Sequence, residues 1–282
     1  MVGVLGVSAS AILVRFSQAP SGVTAAYRLG WTVLLLLPVV LLRCRAELRR
    51  VTARDLVLCG ASGVLLALHF LTWFESLKRT SVASSTVLVS TEVIFTALGF
   101  ALFLHGKIPR LGVWAILLAF GGSALLALSG GGGAGELSGN LLALAAASAA
   151  AVYTLIGRIQ RGHLSTTVDT LLTSLACFLT LLLGTAAAGT PLTGYGGREW
   201  LIGLALAVLC TLLGHSLFSW CLKYLSPSYV SAAKLCEPVF SSLAAIPLFG
   251  EVPGPLQLAG GAAVLGAVLL YTWAEREKTP AG

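Results

Sequence analysis

Long apolar stretches recur along the whole chain, with only short polar connections between them. About 20 helical residues cross a hydrocarbon core ~30 Å thick, and the stretches that approach or exceed this length cover 2–17, 22–42, 54–74, 81–104, 111–129, 137–157, 166–188, 199–222, 228–249 and 254–274. A transmembrane strand shows only about ten residues of alternating pattern, so runs such as LALAAASAAAVYTLIG favour helices. The pattern predicts an all-α polytopic membrane protein with ten transmembrane helices.

The composition agrees with a membrane protein. Of 282 residues, 57% are hydrophobic and 10% are charged, whereas soluble domains carry roughly 25% charged residues. The first stretch, 2–17, is short, and its VSASA segment resembles the small residues before a signal-peptide cleavage site. No basic segment precedes it and the apolar run before it is brief, so we expect a retained helix.

The net charge of +7 does not indicate nucleic-acid binding, because the basic residues are sorted by loop. Cytoplasmic loops of membrane proteins carry an excess of lysine and arginine. One side of the predicted membrane holds only Lys78, Arg79 and Arg198. The other side is therefore predicted to be cytoplasmic, with both termini on it, and this fits a bacterial or archaeal plasma membrane. Its basic residues are Arg43, Arg45, Arg49, Arg50, Arg54, Lys107, Arg110, Arg158, Arg161, Lys223, Arg276 and Lys278.

No sequence pattern indicates a metal, a cofactor or an enzyme. The six cysteines contain no CxxC pair and fall in or beside predicted helices, where cysteine is a small packing residue. The segment GGGGAGE, 130–136, lacks the lysine and hydroxyl residue of a phosphate-binding loop. His69, His215 and nearby serines form no recognisable catalytic motif, so we expect no enzymatic activity. No ATPase motif appears in the sequence.

The two halves of the chain resemble each other. ESLKRTSVASSTVLVSTEVIF, 75–95, aligns with WCLKYLSPSYVSAAKLCEPVF, 220–240, and this superposes Glu92 on Glu237. The matched helices are the fourth and the ninth, and an odd number of spans inverts the second copy in the membrane. Inverted repeats of this kind place a substrate site at their interface near the midplane. With glycine-rich sequence as the linker, the predicted repeats are 1–132 and 133–282.

Three local patterns resemble the EamA-type family of the drug/metabolite transporter superfamily. The first, within 12–30, is ILVRF followed by AAYRLG. The second, within 73–85, is a tryptophan followed by TSVASS. The third, 235–253, is LCEPVFSSLAAIPLFGEVP. In the first half the corresponding positions read Glu92-Val93 and His105-Gly106, so its proline and loop glutamate are missing. The resemblance implies ten helices in two inverted five-helix halves. It also implies transport of amino acids, other metabolites or drugs.

Glu92 and Glu237 are the first candidates for a functional site. A charged side chain at the centre of a transmembrane helix costs about 2.5–3.5 kcal/mol, so it usually faces a cavity or a partner. One hypothesis is that a glutamate binds solute or exchanges a proton for it. The other is structural: hydrogen bonds to these carboxylates join the two halves, and Glu237 organises a kink at Pro238.

Lys234 lies one helical turn before Glu237, on the same helix face. The two side chains either neutralise each other or leave Lys234 to bind an anionic group of the solute. His69 and Trp73 share one stripe of the third helix, and His215 lies on the eighth. Histidine suits proton relay and an indole suits an organic, aromatic solute. The alternatives are interhelical hydrogen bonds for both histidines and interfacial anchoring for Trp73.

Two further residues complete the predicted solute-binding or coupling set. Arg28 lies inside the second helix within two turns of its end, where snorkelling to the interface is favoured over a gating or substrate role. Tyr153, on the sixth helix, offers a hydroxyl to a central cavity. Arg15 and Asp169 are interpreted as residues of the membrane boundary.

These patterns predict a secondary transporter that moves a small organic metabolite across the plasma membrane by alternating access, with export favoured. Its partners are the solute, the lipid bilayer and, in one mechanism, protons. Desolvation favours the protonated form of a carboxylate, which allows proton coupling. A uniporter or exchanger with structural glutamates is the alternative, followed by a membrane sensor that transports nothing.

Overall fold

The computed structural model of the chain describes residues 2–103, 108–129, 134–160, 164–215, 217 and 236–276, and its elements are helices. They are α1 (Val2–Phe16), α2 (Ser21–Arg43), α3 (Arg45–Leu48), α4 (Ala53–Arg79), α5 (Val82–Val89), α6 (Glu92–Phe103), α7 (Arg110–Ser129), α8 (Ala134–Gln160), α9 (Thr166–Ala187), α10 (Gly197–Ala205, followed by a π-helical stretch Leu206–His215), α11 (Cys236–Phe249) and α12 (Pro255–Arg276).

Within these ranges, seven helical spans are long and apolar enough to cross a membrane, and Leu5–Phe16, Arg110–Leu126 and Cys236–Phe249 are shorter apolar helices. The all-helical architecture is therefore confirmed for the described residues. The count of ten transmembrane helices and their inverted repetition stay predictions.

Side-chain caps fix where several helices begin. Thr52 and Asp55 form a reciprocal capping box at the start of α4, with the Asp55 amide donating to Thr52 Oγ1 at 3.2 Å and the Thr52 amide donating to Asp55 Oδ2 at 2.9 Å. The hydroxyl of Ser81 accepts from the Ser84 amide at 3.1 Å and begins α5. Such caps contribute about 1 kcal/mol each. They place the helix starts near the polar ends of the bundle.

The fourth predicted span, 81–104, is not one continuous helix. It is interrupted at Ser90 and Thr91, between α5 and α6. The Ser90 hydroxyl donates to the Thr86 carbonyl oxygen at 3.0 Å, and the Thr91 hydroxyl donates to the Leu88 carbonyl oxygen at 2.6 Å. Serine and threonine that bond to the preceding turn compete with the helical backbone pattern. Glu92 is consequently the first residue of α6, not a residue in mid-helix.

The eighth predicted span also departs from a regular α-helix. From Leu206 to His215 its backbone is π-helical. Such geometry widens the helix, and π-type turns occur frequently at functional sites. Thr211 lies in this stretch and faces the centre of the bundle, where its hydroxyl meets Arg28.

Helix α4 lies at the centre of the packing and contacts α1, α2, α8 and α9. It approaches α9 closely because Gly63 has no side chain: a Cβ at this position would lie 2.5 Å from the Cβ of Ala176. In the same way α7 and α12 meet at Gly122 and Gly260. Small residues at contacts of this kind are typical of membrane helices. Large apolar side chains such as Leu128 face outward, as expected toward lipid.

Candidate functional site

Arg28 lies buried among α1, α2, α4 and the π-helical stretch, with a side chain only 3% exposed. Its Nε donates to Thr211 Oγ1 at 3.0 Å and its Nη1 donates to Ser10 Oγ at 3.1 Å. The guanidinium carbon lies 4.5 Å from the centroid of the Phe70 ring. The expectation that Arg28 snorkels to the interface is therefore wrong, because hydroxyl and aromatic partners on neighbouring helices hold it inside.

Glu237 lies in the first turn of α11, half-buried, and interacts electrostatically with Arg28. Helix α11 packs on α1, where the Ser241 hydroxyl donates to the Ser8 carbonyl oxygen at 3.0 Å. Because Ser10 of α1 also holds Arg28, α1 connects the two charged groups. The structure thus brings together two residues that the sequence pattern indicated separately.

An aromatic stripe on α4 extends from the site of Arg28. Phe70 packs edge-on against His69 with ring centroids 5.1 Å apart, and His69 stacks on Trp73 at 5.7 Å. Phe74 lies beyond, 5.6 Å from Trp73. The stripe forms a continuous wall of flat side chains beside the buried guanidinium group.

His69 links α4 to α8. Its Nδ1–H donates to the Ala146 carbonyl oxygen at 3.0 Å, which fixes the neutral tautomer with Nε2 as the acceptor. It also interacts electrostatically with Glu92 and Arg28. The interhelical hydrogen bond considered for His69 is therefore present, and the histidine is within electrostatic range of two other charged candidates.

Trp73 is 5% exposed, so it is not an anchor at the membrane interface. Its indole Nε1–H has no hydrogen-bond partner among the described residues. A buried donor without a partner is uncommon and costs free energy. This indole donor and the guanidinium group beside the stripe both keep hydrogen-bonding capacity that the described residues do not use.

Glu92 accepts a hydrogen bond of 2.7 Å from the hydroxyl of Thr154 on α8. The carboxylate is half-buried at the first residue of α6, a position where the helix dipole favours negative charge. Tyr153, the residue before Thr154, is half-buried on the same helix. The bond connects the predicted first half to the predicted second half, which is the structural hypothesis weighed for Glu92.

Two residues of the predicted set lie at the limit of the described residues or outside them. His215 ends the π-helical stretch that carries Thr211. Lys234 lies outside the described residues. The roles assigned to all eight residues stay predictions, and the structure gathers Arg28, His69, Trp73, Glu92 and Glu237 around α4 and α1.

One end of the bundle, here called the Arg15 end, joins the end of α1 to the ends of other helices. Arg15 Nη2 donates to Glu251 Oε1 at 2.7 Å, and its Nη1 donates to the Leu77 carbonyl oxygen. The other carboxylate oxygen, Glu251 Oε2, accepts from the Val82 amide at 2.7 Å. Arg15 is thus more than a boundary residue, because it ties α1, α4 and α5 to the loop before α12.

A buried carboxylate strengthens the same end. Glu199, at the start of α10, is 3% exposed and accepts from the Ser17 hydroxyl at 2.6 Å and the Gln18 amide at 3.1 Å. Nearby, Lys78 Nζ donates to the Ala19 carbonyl oxygen at 2.7 Å. Ordered polar contacts therefore join the ends of several helices at the Arg15 end.

The opposite end, here called the Asp55 end, lies where α2 ends and α4 and α9 begin. It contains a cavity of about 410 Å³ lined by Ala46, Glu47, Arg50, Thr52, Asp55 and Leu164. Deeper inside, the Cys59 thiol lies 3.7 Å from Asp169 Oδ1. Asp169 therefore faces α4 rather than lying only at the boundary.

Comparison with known proteins identifies the fold and the class of protein. A model of the EamA-like transporter family matches residues 1–128 and 137–273. The chain belongs to the EamA-like transporter family. Family membership, together with the apolar helices, makes it a multi-pass membrane protein of a transporter family.

Named relatives of this EamA-like chain include an exporter. The pseudopaline exporter CntI of Pseudomonas aeruginosa strain UCBPP-PA14 is 24% identical over 207 residues, covering 73% of this chain and 72% of the exporter. The CntI of strain PAO1 has the same identity and coverage. One solved crystal structure is of a protein that is 20% identical in sequence. The structural match covers 99% of this chain and 96% of that protein's chain, with a TM-score of 0.66. That similarity shows a shared fold.

Sequence reasoning did not select Thr154, Thr211 or Ser10, which hold the charged residues of the EamA-like protein in place. Hydroxyl residues are common in membrane helices, so no local signal distinguishes these three. Glu251 was visible only as part of the GEVP segment. Its partner Arg15 lies 236 residues away along the chain, and no local pattern joins the two.

Proposed function

We propose that this protein is a secondary transporter that exports a small organic metabolite by alternating access between two inverted five-helix repeats. The observation that carries the proposal is the buried group of Arg28, His69 and Trp73, with Glu92 and Glu237 in electrostatic range of its members. Charged groups inside a membrane protein usually mark a solute or ion path. The named relative that exports pseudopaline supports export over import.

The packing of the helices supports an inverted repeat. Helix α4 packs on α8, and α1 packs on the π-helical stretch after α10. If the first five predicted spans correspond in order to the second five, these two contacts are equivalent. Three further contacts each join a helix to its own counterpart in the other half: α2 with α9, α5 with α11, and α7 with α12. This pairing is the pattern expected of a two-fold axis in the membrane plane.

The distribution of basic loops supports an outer location for the Arg15 end. The exposed Arg43, Arg49, Arg50 and Arg54 lie near the Asp55 end, and basic loops face the cytoplasm. The closed Arg15 end is then the periplasmic or extracellular end. In this arrangement the Arg15–Glu251 pair keeps the outer path shut, and solute enters from the cytoplasm before the pair separates.

Two mechanisms differ in what the glutamates do. Proton coupling assigns to Glu92 or Glu237 the exchange of a proton for solute. Uniport or solute exchange assigns them a structural role, and the Thr154 bond to Glu92 specifically favours this second mechanism.

Efflux from proteoliposomes tests the proposed function while the solute is still unidentified. Vesicles that contain the full chain are loaded with a deproteinised bacterial metabolite extract, and the released compounds are followed by mass spectrometry. We expect one or a few small organic metabolites to leave faster than from protein-free vesicles. Identical release from both kinds of vesicle would overturn transport. A second run with an imposed pH gradient separates proton coupling, in which efflux follows the gradient, from uniport or exchange.

A further inference from the structure

We propose that the exported metabolite carries a carboxylate on an apolar or aromatic body, and that Arg28 is the residue that binds this carboxylate. The inference rests on the proposed transport function and names the chemical class of the solute. Its basis is a buried positive charge with no carboxylate of the described residues within 4 Å, next to a wall of rings that holds a second buried donor.

Arg28 is unlike the other arginines whose ion pairs the structure describes. Arg15 and Arg79 lie 2.9 Å or less from the carboxylates of Glu251 and Glu75. For Arg28, no carboxylate of the described residues lies within 4 Å, although the side chain is 3% exposed. Its hydrogen bonds to described residues go to two neutral hydroxyls. An arginine stays charged in proteins, and burial of a charge without a paired anion is costly.

The geometry around the guanidinium group leaves donors for an anion. A guanidinium group has five N–H donors in a planar fork that matches a carboxylate. The bonds to Thr211 and Ser10 use one donor on Nε and one on Nη1. Phe70 covers one face of the group, so an anion is directed to the edge. The long-range attraction of Glu237 moderates the charge but does not occupy these donors.

The aromatic stripe indicates what the carboxylate is attached to. Phe70, His69 and Trp73 continue from Arg28 as ring next to ring. Flat apolar walls suit an aromatic or apolar body through stacking and burial. The Trp73 Nε1–H, which has no partner among the described residues and belongs to a side chain that is 5% exposed, adds a donor for a neutral oxygen of the solute. The two buried donor groups are independent observations that favour the same kind of ligand.

Matched pairs of acids and amides test the charge requirement in the intact protein. The full chain in nanodiscs is incubated with phenylacetate or phenylacetamide, and with indole-3-acetate or indole-3-acetamide, while its melting temperature is followed. Each pair has nearly the same shape and differs in the negative charge. We expect the acids to raise the melting temperature and the amides to leave it unchanged. Equal shifts for acid and amide, or no shift with any acid, would overturn the proposal.

Variants then locate the charge requirement at Arg28. In Arg28→Gln the shift produced by the acids is expected to disappear, and in Arg28→Lys the apparent affinity should fall about tenfold because the planar fork is lost. The control Arg79→Gln removes an arginine that is exposed on the Arg15 end and should respond as the wild type does. An unchanged shift in Arg28→Gln would contradict the site. If that variant does not fold, Arg28→Lys and the acid and amide pairs in the wild type decide the question.

The efflux experiment separates failure of this inference from failure of the proposed function. Preferential release of carboxylate compounds supports both. Release of only neutral or cationic compounds overturns the carboxylate class and leaves transport intact. Absence of any protein-dependent release overturns transport itself.

Discussion

Arg15 on α1 and Glu251 in the loop before α12 form an ion pair of 2.7 Å between the first and the last parts of the described chain. The second oxygen of Glu251 accepts from the Val82 amide, so one carboxylate holds both an arginine and the start of α5. Charge-assisted hydrogen bonds are about twice as strong as neutral ones. Under the proposed mechanism, this junction is the point at which the outer end would separate.

Breaking the junction should open the Arg15 end. In Arg15→Ala, we expect a cysteine placed at Ala19, which is 0% exposed, to react at least about tenfold faster with a membrane-impermeant maleimide. Loss of a charge-assisted contact of about 1.5–3 kcal/mol accounts for that direction and size. The native cysteines are replaced beforehand by alanine.

The matched control is Arg79→Gln, which breaks the ion pair with Glu75 at the same end. That pair is more exposed, and exposed pairs contribute about 0–1 kcal/mol. Labelling at Ala19→Cys should change little. Equal labelling in the Arg15→Ala and Arg79→Gln backgrounds would refute the role given to the Arg15–Glu251 junction.

Glu92→Gln separates the two mechanisms proposed for the glutamates. A glutamine oxygen still accepts the hydroxyl hydrogen of Thr154, so the melting temperature should stay within about two degrees of the wild type. If Glu92 carries the coupled proton, efflux continues and no longer follows an imposed pH gradient. Under the proton-coupling hypothesis, gradient-driven efflux that survives in Glu92→Gln would remove Glu92 from the mechanism.

Two glycines on α4 provide a test of helix packing. In Gly63→Ala, the new Cβ would lie 2.7 Å from the backbone nitrogen of Cys177, a contact that backbone cannot easily relieve. We expect a loss of about 1–3 kcal/mol in the free energy of unfolding. Gly60→Ala, less than one turn away, meets nothing within 4 Å and should be neutral or slightly stabilising. Similar melting temperatures for the two variants would contradict the close approach of α4 and α9.

Trp73→Phe tests whether the indole N–H serves a ligand. The donor has no partner among the described residues, so its removal sacrifices no internal hydrogen bond, and the smaller ring should cost only about 1–3 kcal/mol of stability through lost packing. Binding of indole-3-acetate in nanodiscs should weaken by about tenfold, in line with one lost hydrogen bond. A large loss of stability with unchanged binding would instead make the indole a packing residue.

The length and composition of the apolar stretches were sufficient to predict the helices, because a residue that is in lipid must satisfy its backbone within its own helix. Most described bounds lie within a few residues of the prediction. The break at Ser90 and Thr91 was not predictable from this argument, since both residues are tolerated inside helices. Their hydroxyls bond to the preceding turn, but the hydroxyls of Thr32 and Thr72 do the same inside continuous helices, so such bonds alone do not predict a break.

The candidate site was predictable in part for a similar reason. Charged and aromatic residues inside apolar runs are easily recognised in a sequence, and for this reason Arg28, His69 and Glu92 were predicted as site residues. Their partners are not conspicuous: Thr211 is one of many hydroxyl residues and becomes specific only when the π-helical stretch faces α2. The burial of Arg28 could not be predicted either, because a side chain near a helix end can point toward the membrane interface or into the bundle. Tertiary packing decides between the two.

The contact of Gly122 with Gly260 has a consequence for the motion of the bundle. Each glycine would place a Cβ 2.9 Å from the carbonyl oxygen of the other, so α7 and α12 lie backbone to backbone. Two helices in backbone contact have little freedom to slide along each other or to move apart. If the protein works by the proposed alternating access, α7 and α12 should tilt together as one unit, and the rearrangement that exposes the solute should occur in the more polar helices.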